Sequence, residues 1–393
     1  MIKTIKETSS KYLKIYSSQT HLKIIAEGLF NINGKTLSTE EHLNAAFDWM
    51  CRAQDITKTG GVSAGYSFED GWLPQYPETT GYIIPTFIKY SKLTNNKKYV
   101  ERAIKMADWE IEIQMPDGAV RGDAGITSYP IVFDTGQVIS GWTSLYKETG
   151  IGRFKDAAKK AGDWLISIQD EDGKWSKHTY NNIPHAYHSR VAWPILKLFS
   201  ITDDDKYKIA AEKNIDWVLS LHKGNGWFNG MGFKWDDIPF THTITYTLRG
   251  LLESSFYLDE EKKTKIRSLV IIAAKNIINC YETQYEKNEM LAGTLNSNWK
   301  PASNYTCLTG NAQVSIVWLK LYNLTGDVEF LSSAKKLLDQ VKSKQNLKSS
   351  NLGIKGAIAG SFPIWGGYRE YSYPNWAAKF FSDALMLLDS ETK

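Results

Sequence analysis

One pattern governs what this chain can fold into. The dipeptide Asp-Trp recurs at Asp48-Trp49, Asp108-Trp109, Asp163-Trp164 and Asp216-Trp217, at steps of 60, 55 and 53 residues. Six residues after each Asp stand Gln54, Gln114, Gln169 and His222, and Asp339 with Gln345 gives a weaker echo. A period of this size denotes a supersecondary unit that stacks on copies of itself. Around each Asp-Trp, apolar residues fall at helical spacing, as in YVERAIKMADWEIEIQ and FKDAAKKAGDWLISIQ.

Two further elements keep phase with the first. Thr94, Thr149, Thr202 and Thr325 are each followed five residues later by an aromatic: Tyr99, Phe154, Tyr207 and Phe330. The Asn, Gly and Asp between them favour turns and helix caps, so these are short connections between helices. After each Asp-Trp helix comes a loop of roughly 18–25 residues, long enough to suggest function. These loops lead into apolar helices beginning near Thr80, Thr135, Ser189, Thr243, Thr309 and Pro374.

Alternating short turns and long loops imply six antiparallel helical hairpins with every long loop on one side. The second helix of each pair, as in TGYIIPTFIKY and TGQVISGWTSLY, is apolar nearly all round and belongs inside. The expected fold is therefore all-α: an (α/α)6 toroid over residues 41–393, with residues 1–40 as an N-terminal helical extension. A closed ring lets 393 residues share one core.

Composition narrows the function. A net charge of +4 without clustering gives no reason to expect a nucleic-acid partner. No apolar run approaches the roughly 18–20 residues that span a bilayer. Residues 1–19 lack the apolar core of a secretion signal. Cys51, Cys280 and Cys307 are far apart, as free thiols in a reducing compartment would be. A cytoplasmic protein is expected, its oligomeric state open. No His or Cys spacing indicates a metal, and no cofactor is expected. The glycine-rich GNGWFNG lacks the setting of a phosphate loop.

The candidate chemistry lies where long loops enter inner helices. IPHAYHSRVAW places His185, Tyr187, His188 and Arg190 at the third such point, a set suited to proton transfer beside a carboxylate. Asp134 and Gln137 occupy the second point, where Asp could equally cap the helix. Tyr76 and Glu78 stand at the first, Asp236 and His242 at the fourth, Asn304 and Tyr305 at the fifth. The last carries Trp365, Tyr368, Glu370 and Tyr371. Arg121 or Arg190 could hold a carboxylate, and Trp72, Trp235 and Trp299 could seat sugar rings. The Asp-Trp pairs themselves read as scaffold.

On these residues the chain resembles the six-hairpin toroids of carbohydrate-active enzymes, most of all the VpsJ-like proteins of bacterial surface-polysaccharide clusters. It is also similar to unsaturated glucuronyl hydrolases, and TGQVISGWTSLYKETG and YREYSYP resemble segments of glucuronyl C5-epimerases. The resemblance implies an enzyme acting on an oligo- or polysaccharide, uronate-containing, by lyase, epimerase or hydrolase chemistry. In the hydrolases an Asp near the position of Asp134 works with a second Asp one hairpin later; here His185 and His188 stand in that stretch. A non-catalytic glycan-binding scaffold is the alternative. A terpene-cyclase-like toroid is the third reading, against which the polar long loops speak.

Overall fold

The computed structural model describes residues 13–34 and 36–392. A short helix α1 (Gln19–Leu29) precedes six hairpins. Their outer helices are α2 (Thr39–Asp55), α4 (Lys98–Ile113), α6 (Gly152–Ser167), α8 (Asp205–Ser220), α10 (Glu260–Tyr285) and α12 (Val328–Ser343). The inner ones are α3 (Pro77–Thr94), α5 (Val132–Thr149), α7 (Ser189–Thr202), α9 (Thr241–Ser254), α11 (Leu308–Thr325) and α13 (Asn375–Thr392). Each inner helix packs on the next, and α13 returns to α3 and α2, so the ring closes as an (α/α)6 toroid. Within the expected N-terminal extension, residues 1–12 and 35 lie outside the described residues. His21 of α1 stacks on Phe68 of the first long loop at 3.8 Å.

The repeated side chains act as clasps between neighbouring units. Gln114 Nε2 donates to Gly118 O of its own loop (2.8 Å) and to Ala157 O of the next outer helix (3.1 Å). Gln169 repeats this with Gly173 and Ala210, and Gln345 with Gly356 and, across the ring closure, His42. Asp108 pairs with Arg153, Asp163 with Lys206 and Asp216 with Lys262, each partner at the start of the next outer helix. Trp49, Trp109 and Trp164 are buried.

Among the described residues the strands of the long loops are two or three residues long. β1 (Gly65–Ser67) pairs antiparallel with β2 (Gly71–Trp72) and with β3 (Ser372–Pro374), which stitches the first loop to the last. Inner helices approach closely where glycine permits. A Cβ on Gly81 would lie 2.5 Å from Val138 Cα, so α3 and α5 meet almost backbone to backbone. Among the described residues no helix is long and apolar enough to cross a membrane.

Candidate active site

At the long-loop mouth the inner helices enclose a cavity of about 360 Å³. Glu78 enters from the first turn of α3 and Asp134 from the first turn of α5. The close packing at Gly81, one turn below Glu78, brings these two turns together. Tyr187, His242 and Tyr246 face them from the third and fourth hairpins, and Tyr368, Arg369 and Trp376 from the sixth.

The two carboxyl groups sit in a setting that disfavours charge. Burial pushes Glu78 up to about 7, opposed by the Tyr76 hydroxyl and by Arg369 and Arg190. Asp134 is 2% exposed, and burial followed by the nearby Glu78 charge raises it well above the usual carboxylate range. Its Oδ2 accepts the Asp123 backbone N–H at 3.0 Å, which holds the side chain in place. Each charge disfavours ionisation of the other, so the pair favours holding a proton near neutral pH.

The remaining groups are oriented by their neighbours. His242 Nδ1 stands 2.6 Å from Gln313 Nε2. With that amide donating, the ring proton resides on Nε2. Burial, then Arg190 and Arg369, keeps this ring neutral by lowering its pKa well below the ordinary value. Tyr368 Oη accepts the Trp376 indole N–H at 2.8 Å, leaving the phenol proton for another acceptor. The Arg369 guanidinium lies over Trp376, 4.9 Å from the ring centroid, and is exposed at the cavity edge.

Of the residues expected to carry chemistry, Tyr76, Glu78, Asp134, Tyr187, His242 and Tyr368 line this cavity. His185 and His188 do not. His185 is fully buried with its ring nitrogens 3.1 and 2.8 Å from Gly232 O and Tyr180 O, where it ties two long loops together. His188 is also fully buried, packed edge-on to Trp175, His185 and Tyr187, with neither ring nitrogen hydrogen-bonded among the described residues. The proton-transfer role expected of these histidines does not fit these positions.

Arg190 points beneath the floor, donating to Gln137 Oε1 at 3.1 Å, while Gln137 Nε2 donates to Arg190 O. Arg121 binds the backbone carbonyls of Ile113 and Thr127 inside its own loop. Neither arginine lines the cavity. Trp72 packs on Trp49 and Tyr66, Trp299 is buried against Trp227, and Trp365 covers Gly28. Trp235, Asp236 and Glu370 are exposed away from the cavity, and Tyr371 packs near Phe68. Asn304 and Tyr305 line a separate cleft of about 370 Å³ beside α1.

The cavity also contains residues that the loop-entry positions did not single out. Tyr82 and Tyr246 lie four residues after Glu78 and His242, one helical turn deeper on the same faces. That stride was available in the sequence. Asp123, Phe233 and Arg369 come from loop conformations that no periodicity encodes; Asp123 and Arg369 have φ of 60° and 51°.

The family model of the squalene-hopene cyclase C-terminal domain matches residues 74–251. No curated protein matches the chain in sequence. Solved structures share the fold over nearly the whole chain. A sugar epimerase from a ruminal bacterium aligns with a TM-score of 0.72 at 12% identity, over 90% of this chain and 98% of that one. An unsaturated glucuronyl hydrolase specific for heparin aligns at 0.71 and 13%, over 90% and 97%. A polysaccharide lyase aligns at 0.64 and 15%, over 91% and 99%.

Proposed function

We propose that the chain is a carbohydrate-active enzyme working by acid–base chemistry on a uronate-containing saccharide. The observation that carries this reading is the Glu78–Asp134 carboxyl pair inside an aromatic-walled cavity with Arg369 at its edge. A cavity of about 360 Å³ admits one or two sugar rings. The substrate is then a chain end or a short oligosaccharide rather than the middle of a polymer. The resemblance to VpsJ-like proteins supports bacterial surface-polysaccharide production as the context, and the free, widely spaced cysteines support a cytoplasmic setting.

The residues fall into roles by their chemistry. Arg369 takes the uronate carboxylate, and neutralising it makes the adjacent C5 proton more acidic. Glu78, poised near neutrality, accepts a proton; Asp134, held protonated, donates one to a ring or leaving-group oxygen. Tyr187, Tyr246 and Tyr368 offer phenols within the same walls, and Trp376 and Phe133 offer apolar faces to the sugar. The fold shared with an epimerase, a glucuronyl hydrolase and a lyase supports this class of chemistry.

Incubation with uronate-containing oligosaccharides in D₂O tests it. Deuterium at C5 without cleavage identifies an epimerase, a new double bond a lyase, and released sugar without either a hydrolase. Binding with no chemical change in any substrate would make the protein a glycan-binding scaffold and defeat the enzyme reading. The squalene-hopene cyclase match and the aromatic cavity walls favour a second reading, isoprenoid cyclisation initiated by Asp134. The polar side chains of the long loops do not by themselves exclude it, because aromatic residues of these loops turn inward. Glu78, Asp123 and Arg369 on the same walls suit a saccharide better, and absence of cyclised product from squalene would remove this second reading.

A further inference from the structure

Beneath the cavity floor the barrel axis carries charge that the proposed chemistry does not use. Every inner helix supplies a cation there: Lys89, Lys147, Arg190 and Lys197, Arg249, Lys320, and Lys379. Among the described residues the buried acids in this half are Glu253 and Asp383. Asp383 is taken by Lys379 at 2.6 Å and by Thr86 at 2.8 Å. Glu253 is taken by Lys320 at 2.9 Å.

The two arginines are only partly satisfied: Arg249 shares Glu253 with Lys320, and Arg190 donates a single hydrogen bond, to the neutral Gln137. Arg249 stands 3.6 Å from Glu253, beyond hydrogen-bond distance. Its Nε and Nη1, and those of Arg190, find no hydrogen-bond acceptor among the described residues. Arg190 is 2% exposed and Arg249 is 4% exposed. Both guanidinium groups lie against Trp193, 5.2 and 5.7 Å from its ring centroid, and burial followed by the Arg249 charge lowers the Arg190 pKa to about 10. Buried guanidinium groups with two nitrogens each left without an acceptor are unfavourable unless further negative charge comes to them. The C-terminal ends of the inner helices do not supply it, since a helix dipole acts within its last turn. Arg190 is the second residue of α7, and Arg249 lies in the middle of α9.

We propose that a compact inorganic anion, a halide or phosphate, is held between the Arg190 and Arg249 guanidinium groups. It enters from the short-turn end, past the exposed Lys89 and the partly exposed Lys197 and Lys320. The site is separate from the saccharide cavity and stands whether or not that cavity is catalytic.

The experiment is a melting-temperature series on the full chain in bromide, phosphate and the bulky anion gluconate at constant ionic strength. It is repeated on Arg190→Met and Arg249→Met, with bromide anomalous diffraction from wild-type crystals alongside. A saturable rise in melting temperature with bromide or phosphate but not gluconate, lost in the variants, is expected. Response to one anion alone identifies the ligand as halide or oxyanion. Should the variants fail to fold, the diffraction decides: bromide contacting both guanidinium groups upholds the site in a halide-responsive protein. No anion-specific rise, with only water between the arginines, overturns it.

Discussion

Glu78 and Asp134 enter one cavity from the first turns of adjacent inner helices, and burial followed by the charge of Glu78 raises the pKa of Asp134. Replacing either acid by its amide keeps the shape and removes the proton exchange. Glu78→Gln and Asp134→Asn should each lower turnover by about 10²–10⁴-fold with the fold intact, since general acid–base groups contribute on that scale. Rates on the saccharide identified in D₂O, with circular dichroism as the folding control, check this.

If Arg369 holds the uronate carboxylate as proposed, Arg369→Ala should raise KM for a uronate substrate more than it lowers kcat, because that contact is remote from the reacting bond. A neutral sugar bound in the same cavity should be nearly indifferent to the change. Parallel binding titrations of acidic and neutral oligosaccharides measure the difference. Equal losses for both would remove Arg369 from carboxylate recognition.

His188→Leu should preserve activity. The wild-type ring is buried and neutral, with burial lowering its pKa well below 6.5. Below 6.5 the unfolded chain binds a proton at this residue that the folded chain resists, so wild-type stability falls as pH drops from about 7 to 5. The leucine variant should lose less stability over that interval. Denaturant melts at pH 7 and pH 5 compare the two, and a large loss of activity would restore His188 to the chemistry.

These contrasts show what the sequence could carry. Helix periodicity and the in-phase Gln and Asp-Trp copies made the ring legible, because the four Gln copies each bond the next outer helix and three of the Asp copies pair with a cation at its start. Of the loop-entry positions, Glu78, Asp134, His242 and Tyr368 line the cavity, since inner-helix N-termini face the mouth. His185 and His188 misled because residue type says nothing about direction. Their loop turns both rings into packing, while Tyr187 between them faces the cavity. Arg369 escaped notice because its position depends on a positive-φ turn.

Gln345→Leu tests the ring closure. Gln345 is 5% exposed and its Nε2 donates to Gly356 O at 2.7 Å and His42 O at 3.2 Å. Leucine fills the space but leaves both carbonyls without this donor, at about 1–3 kcal/mol for each buried group left unsatisfied. Thermal melts should show a clear fall in stability, with activity retained below the transition.

The most direct test of the central claim is a ¹³C-carboxyl NMR titration of Glu78 and Asp134 in the wild type and in Glu78→Gln. Wild-type protein should retain a proton on the pair at neutral pH, with Glu78 titrating near 7 and Asp134 raised. Removing the Glu78 charge should lower the Asp134 transition. If both carboxyls ionise independently at ordinary carboxylate values, and Glu78→Gln leaves Asp134 unmoved, the cavity holds no coupled acid–base pair and the proposed mechanism fails.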